Sequence, residues 1–557
     1  MVDINKNQIY EATIEGFTSE GLGVCRINGR AVFVKGALPG ETWRLRIVKA
    51  GKTAVYARGE TCLGASPERT EPGCPLFGRC GGCGLMHMSY REELKMKLAR
   101  VNDAFRRIGG LQIEASEIIP ADAILRYRNK SVYNISEGNG VPVFGFYRSG
   151  SHDVVSAQGC PLQSETADAA AAAVCAWMKS HKISAYNDKS GKGAVRHVFV
   201  RSARDGSAVC CVVSAEGFGK HTAFLVSALR EACPELTGIV LCINKTRGNT
   251  MLAGDFYTLW GNAELRDVLC GFDFLLSPQS FFQINPVQAE KLYDLAVGFA
   301  APDGGGTILD LYCGAGTISL CLARRAEKVI GAEIVPEAVE NARENARLNG
   351  ITNAEFLLGD AAEAAKNLAD RGIHPDAVVV DPPRKGLSPE VIDEICRMAP
   401  ERMVYVSCNP ASLARDLKRF SELGYAPSVG IAVDMFPRTT HVETVVSLSH
   451  KNADSHINVN VEFGDEEGQI PIDEIARKAE EYRPSERVAY KIIQEYIENK
   501  YNFKVHTAYI AEVKRDLGLP MYDAPNTVGE LKQERKHPTP EKVEAIKDAL
   551  RHFGVIQ

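Results

Sequence analysis

Over the first 60 positions apolar residues fall in short alternating runs, at 9–14, 21–24, 31–34 and 43–48, separated by Gly and Pro. Period two with that punctuation predicts a small five-stranded barrel of the OB type across 1–62. The period then becomes helical. Ser89-Tyr90-Arg91-Glu92 forms a capping box ahead of Leu94, Leu98, Val101, Phe105 and Ile108, a stripe that stops at Gly109-Gly110. From about 120 to 280 the runs are strand-like, with one Ala-rich helix from Ala167 to Met178 and a well-marked strand at 195–201. From about 285 to 450 strand and helix patterns alternate, which implies parallel βαβ units and a Rossmann-like α/β domain. After 451 the texture turns polar and then helical, with amphipathic helices expected to open at Pro484-Ser485-Glu486-Arg487 and Pro538-Thr539-Pro540-Glu541. The pattern divides the chain into 1–62, a central mainly β domain at 63–284, an α/β domain at 285–450 and a small helical extension at 460–557.

Composition adds little beyond exclusions. A chain of 557 residues is long enough for three or four domains. Its net charge of -5 gives no global signal for a nucleic-acid partner, so such a partner rests on local clusters. Arg44, Arg46, Lys49, Lys52 and Arg58 make the second half of the barrel basic, as either a solvated strand face or an RNA contact. The first residues lack an apolar signal region and no apolar span is long enough for a membrane helix, so a cytoplasmic protein without membrane attachment is expected. The 16 cysteines then read as free thiols plus metal or catalytic sites, rather than disulfides.

Four constellations carry chemistry. Cys74, Cys80 and Cys83 lie within ten residues in a Gly-rich stretch. Thiolates so placed suit one metal centre, with His87 as a zinc ligand or Cys160-Pro161 as the distant ligand of an iron-sulfur cluster. Three reduced, metal-free cysteines are the bland alternative. Next, the run 307–311 leads into Tyr312-Cys313-Gly314-Ala315-Gly316-Thr317, and the following apolar run ends at Glu333. Gly314 and Gly316 let backbone approach a ligand, and an acid at the second strand end suits ribose hydroxyls. Without a third glycine in dinucleotide spacing, the pattern favours S-adenosylmethionine over NAD. Asp360 ends a third strand, positioned to meet an adenine or simply to cap a helix. Cys313 reads as packing.

The apolar run 377–380 ends in Asp381-Pro382-Pro383, a rigid turn that fixes a carboxylate at the sheet edge, with Arg384 and Lys385 beside it for phosphate or solvent. Finally, the run 403–406 presents Ser407-Cys408-Asn409-Pro410, and Glu443 precedes another strand. A thiol nucleophile beside a carboxylate base is what C5-methylation of uracil requires. Addition of the thiolate at C6 makes C5 nucleophilic, and a base then removes the C5 proton.

These motifs, together with Tyr127-Arg128-Asn129-Lys130 and Ser280-Phe281-Phe282-Gln283-Ile284-Asn285, occur in the order found in bacterial RNA uracil-5-methyltransferases. The resemblance covers about 1–450, and the barrel resembles a TRAM domain, which points to the 23S ribosomal RNA branch. It implies a class I S-adenosylmethionine methyltransferase domain and a [4Fe-4S] cluster on Cys74, Cys80, Cys83 and Cys160. It implies a cofactor and base pocket of Gln283, Tyr312, Gly314, Gly316, Thr317, Glu333, Asp360 and Asp381. Cys408 becomes the nucleophile and Glu443 the base, acting on a uracil flipped from structured RNA. In 23S rRNA the target would be uridine 1939, uridine 747 or both. A tRNA uracil-54 methyltransferase, a non-catalytic RNA-binding assembly factor and a redox enzyme are the alternatives, and a monomer is expected. The resemblance assigns no role to 460–557.

Overall fold

A computed structural model describes residues 4–248, 250–450, 490–501, 503, 505–517 and 539–552. The chain divides into two compact units, 1–453 and 454–557.

The N-terminal sheet has six strands, in the order Ile9–Thr13, Thr42–Ala50, Val55–Gly64, Arg30–Val34, Gly23–Ile27, Gly16–Phe17. The strand beyond the expected five is the two-residue Gly16–Phe17. Strand alternation sends Cys25, Val32, Val34, Leu45, Ile47 and Val55 into a sealed core. The intervening Arg44, Lys49 and Arg58 are exposed, so the basic residues do line the outer face.

Helix Tyr90–Ala104 starts as its cap predicts, with Ser89 Oγ accepting from the Glu92 amide at 3.2 Å. Its buried face differs from the expected stripe. Glu93 and Lys97 are fully buried, while Ile108 is 47 % exposed. The helix ends in a π-turn, Phe105–Gly109, which rotates Ile108 off the apolar face.

The central sheet has seven strands, in the order Val154–Ser156, Val141–Tyr147, Lys130–Gly138, Val195–Ser202, Ala208–Ser214, Leu236–Ile243, Asp255–Gly261. The expected Ala-rich helix spans Glu165–His181, and a second helix, Thr222–Ala232, was not expected. Ala208–Ser214 and Leu236–Ile243 pair in parallel, so the chain needs a crossover between them, which this helix provides.

The α/β domain is built on an eight-stranded sheet. Its order is Ala354–Leu358, Lys328–Glu333, Thr307–Leu311, Ala377–Val380, Arg402–Ser407, Glu443–His450, Tyr425–Val433, Ala115–Ile119. Ala377–Val380 is buried at every residue, as a parallel strand covered on both faces must be. The first five strands of that order pair in parallel; Glu443–His450 runs antiparallel to Arg402–Ser407. This reversal brings the start of one strand beside the end of the other. The edge strand Ala115–Ile119 reaches the sheet from the segment assigned by sequence to the central domain.

In the second unit, helices Tyr490–Tyr501, Thr507–Asp516 and Pro540–His552 share a core of Ile493, Ile497, Ile510, Val513, Ile546 and Leu550. The helix expected to open at Pro484 has its predicted start outside the described residues. Among the described residues no helix is long and apolar enough to cross a membrane.

Candidate active site

The candidate cofactor crease forms where Thr307–Leu311 ends. Tyr312, Gly314 and Gly316 take φ of 69°, 56° and 81°, a left-handed series that turns the chain sharply into helix Thr317–Ala323. Glycine suits two of these positions, and Tyr312 is held there by its amide donating to the Ala332 carbonyl at 3.0 Å. Glu333 closes the loop from the next strand. It accepts from the Gly314 amide at 3.1 Å and from the Ile334 and Val335 amides at 2.9 and 3.0 Å. Thr317 Oγ1 lies 3.2 Å from the Tyr293 hydroxyl. Asp360 is exposed and caps helix Ala361–Asp370, accepting from the Ala362 amide at 2.9 Å. The capping alternative is realised, and the carboxylate still raises Tyr312, after burial, to about 12. Gln283 is buried, with its carbonyl accepting from Asn129 at 2.9 Å. Its neighbour Asn285 donates to the Met435 carbonyl at 3.2 Å, which ties this segment to the connection before Glu443.

Two buried polar residues support the crease: Asp310, the acid within the motif strand itself, and Asn345, which was not singled out from sequence. Asp310 is fully buried, accepts from Ser319 at 2.5 Å and is pushed by burial up to about 7. Asn345, also fully buried, donates to the Ala315 carbonyl at 3.1 Å and accepts from the Leu275 amide at 3.2 Å. Asn345 looks like an ordinary polar residue in its segment, so pattern alone gives no signal for it. Cys313 is buried in the core, as expected.

Cys408, Glu443 and Asp381 meet through sheet register. Ser407 pairs with Thr444 in the antiparallel ladder, so the next position along each strand places Cys408 beside Glu443. Val380 pairs with Tyr405, which brings Asp381 to the same sheet end. The electrostatics carry the signature of this closeness. Burial, then Glu443 and Asp381, push the Cys408 thiol up to about 11, against the pull of Arg384. Burial and then Asp381 push Glu443 up to about 8, and burial pushes Asp381 up to about 7. A carboxyl group near neutrality exchanges a proton readily. Arg384 is exposed, supplying a cation at the rim.

The two loops are bolted together by Asn409, which belongs to the Cys408 motif, and by Ser412 and Asp416, which the sequence did not reveal. Asn409 caps helix Pro410–Glu422, accepting from the Ala411 amide at 3.2 Å, while its Nδ2 donates to the Arg384 carbonyl at 2.9 Å. Ser412 donates to the same carbonyl at 3.1 Å. Asp416 accepts from the Leu387 amide at 2.8 Å and the Tyr405 hydroxyl at 2.7 Å. Cys408 therefore sits between a β-ladder and a helix cap that also grips the Asp381 turn.

Cys74, Cys80, Cys83 and Cys160 line one cavity of about 80 Å³, with Phe77, Arg128 and Leu162 around them. Burial and the neighbouring thiols push Cys83 up to about 12, with Cys160 the largest neighbour contribution. Four cysteines around one cavity match in residue type the thiolate donors of an iron-sulfur cluster. Among the described residues, no group of three or more His, Cys, Asp or Glu side chains that could hold a metal ion is found. His87 lies outside this lining, buried against Phe77 at 5.2 Å between ring centroids.

Comparison with known proteins agrees with this geometry. Residues 271–451 match the family described as tRNA (Uracil-5-)-methyltransferase, and residues 5–61 match the TRAM domain. An uncharacterized RNA methyltransferase of Clostridium tetani is 38 % identical over 450 residues, covering 81 % of this chain and 98 % of the relative. One of Halalkalibacterium halodurans is 39 % identical over 451 residues, with 81 % and 98 % covered. A solved Pyrococcus abyssi tRNA (uracil-54, C5)-methyltransferase, in complex with S-adenosyl-L-homocysteine, is similar at a TM-score of 0.65 and 28 % identity, covering 79 % of this chain and 99 % of that one. On this evidence the chain belongs to the RNA (uracil-5-)-methyltransferase family and is an S-adenosylmethionine-dependent enzyme with an N-terminal TRAM domain.

Proposed function

We propose that the chain methylates C5 of a uridine in structured 23S ribosomal RNA through a covalent adduct to Cys408. The observation that carries this reading is the register that sets Cys408 beside Glu443, with Asp381 at the same sheet end. Cys408 Sγ bonds to C6 of the flipped uracil, and the pyrimidine electrons move to make C5 nucleophilic. S-adenosylmethionine, when bound, supplies an electrophilic methyl for C5. Glu443 then takes the C5 proton, the C5–C6 double bond re-forms and the thiolate leaves. Burial, then Glu443 and Asp381, push the resting thiol up, so its proton passes to solvent as the RNA arrives, with Arg384 favouring the anion, and Glu443 must itself be ionised before it takes the C5 proton.

Glu333 and the Tyr312–Thr317 loop are assigned to the cofactor, with Asp360 at its outer edge and Asp381 and Gln283 toward the base. Cys74, Cys80, Cys83 and Cys160 are assigned to a [4Fe-4S] cluster. Its role would be structural, since methyl transfer needs no electron carrier. Iron and sulfide analysis of anaerobically purified protein tests this assignment; stoichiometric zinc would replace it.

The substrate has a second reading. A neighbour that acts on tRNA uracil-54 matches over 79 % of this chain, so tRNA is the alternative. Methyl transfer to 23S rRNA fragments and to tRNA, with mass mapping of 5-methyluridine, separates the two. Product at uridine 1939 or 747 supports the ribosomal reading; product in tRNA alone overturns it.

A further inference from the structure

Residues 434–442 connect strand Tyr425–Val433 to strand Glu443–His450, and their ends are pinned by the pairing of Val433 with Glu443. The connection has no helix or strand of its own; beside its own turn bonds, such as the Thr439 amide to the Phe436 carbonyl, it is held by contacts from outside. A buried cluster of charges is prominent among them. Lys97 Nζ donates to Glu93 Oε1 at 2.7 Å, to Asp434 Oδ1 at 2.6 Å and to the Phe436 carbonyl at 3.1 Å. Glu93 in turn accepts from the Arg438 amide at 2.7 Å, and its other oxygen lies 3.4 Å from the Arg438 guanidinium. Arg438 has φ of 68°, a left-handed conformation that a non-glycine residue holds only when its surroundings impose it. Its carbonyl accepts from the Gly84 and Leu85 amides, both at 3.1 Å.

Lys97, Glu93 and Asp434 are fully buried. An apolar side chain would fill the position of Lys97 without the desolvation cost of its charge, so burial alone gives no reason for a lysine there. Each bond of Lys97 ends on the helix that carries it or on the connection leading to Glu443. We propose that Lys97, with Glu93, is a positioning residue that fixes the 434–442 connection and so aims Glu443 at the C5 proton. This rests on the reading of Glu443 as the base. Lys97 touches no reacting atom; it acts through the left-handed turn at Arg438 and the anchored start of the strand.

The test is the partition of the covalent RNA complex. Wild type, Lys97→Met and Glu443→Gln are mixed with uridine-containing substrate RNA and S-adenosylmethionine, quenched, and resolved on denaturing gels. Lys97→Met should form the complex at close to the wild-type rate but release it roughly 10- to 100-fold more slowly. Complex therefore accumulates as in Glu443→Gln, with kcat and KM for RNA falling together so that kcat/KM stays near the wild-type value. Loss of folded protein alone would lower kcat without accumulation, and that result, or equal slowing of both steps, overturns the proposal. Should Lys97→Met fail to fold, Glu93→Gln serves instead. Adding Arg438→Gly, which reaches a φ near 68° unaided, should then restore release; no recovery counts against the proposal. A wild-type chain that never forms the complex overturns the parent reading as well, and so is distinguishable.

Discussion

Replacing Glu443 by Gln should separate stability from turnover in a pH-dependent way. Burial and then Asp381 raise Glu443 from 4.5 to about 8. At 1.36 kcal/mol per factor of ten, holding the ionised carboxylate in the folded chain costs on the order of 5 kcal/mol. Between pH 4.5 and 8 the folded state keeps a proton that the unfolded state has lost. The wild type therefore loses stability as pH rises through that window. Gln matches the carboxyl in shape and has no proton to lose. The stability gap in favour of Glu443→Gln should grow by about 1.4 kcal/mol per pH unit between 5 and 8, then flatten. Above pH 8 it should amount to roughly 5 °C in Tm. Removal of a general base should simultaneously lower turnover about 10²- to 10⁴-fold. Melting curves of substrate-free protein from pH 5 to 9, paired with single-turnover methylation, measure both. Parallel melting profiles for the two proteins, or unimpaired turnover, would refute the placement of a buried, proton-holding base at this position.

Three further perturbations follow from the geometry. A Cβ on Gly331 would meet Phe356 Cδ1 at 2.7 Å and Cys313 Sγ at 3.0 Å, so Gly331→Ala should destabilise by about 1–3 kcal/mol and weaken S-adenosylmethionine binding, read by melting and titration calorimetry. Asn409→Ala removes both the helix cap and the bond to the Arg384 carbonyl; it should cost about 1–2 kcal/mol and slow adduct formation, read by quench-flow. Cys160→Ser takes one thiol from the four-cysteine cavity and should lower bound iron and sulfide in anaerobic preparations, read by elemental analysis.

The candidate site was legible where its residues sit at the ends of regular elements. Cys408 closes one apolar run and Glu443 opens another, so strand pattern alone placed both at a sheet end. Gly314 and Gly316 announced a tight turn because few other residues adopt it. Asp360 was ambiguous for a physical reason: an acid after a strand and before a helix serves equally as cap and as ligand, and here it caps. What stayed hidden was polar burial. Glu93 and Lys97 look like an exposed helical pair at i,i+4, and only tertiary packing against 434–438 puts them inside. Asn345, Asn409 and Asp416 likewise do their work through contacts distant in sequence. Helix Thr222–Ala232 was missed because nothing local reveals that its flanking strands pair in parallel.

The most direct test of the account is covalent trapping. The full chain is incubated with 5-fluorouridine-substituted 23S rRNA fragments and S-adenosylmethionine, then analysed by denaturing gel and intact mass. Fluorine at C5 cannot leave as a proton does, so the wild type should remain bonded to RNA through Cys408, heavier than protein plus RNA by one methyl group less the thiol hydrogen. Cys408→Ala should give no covalent species. Equal trapping by Cys408→Ala, or none by the wild type under conditions where it methylates ordinary RNA, would contradict the mechanism.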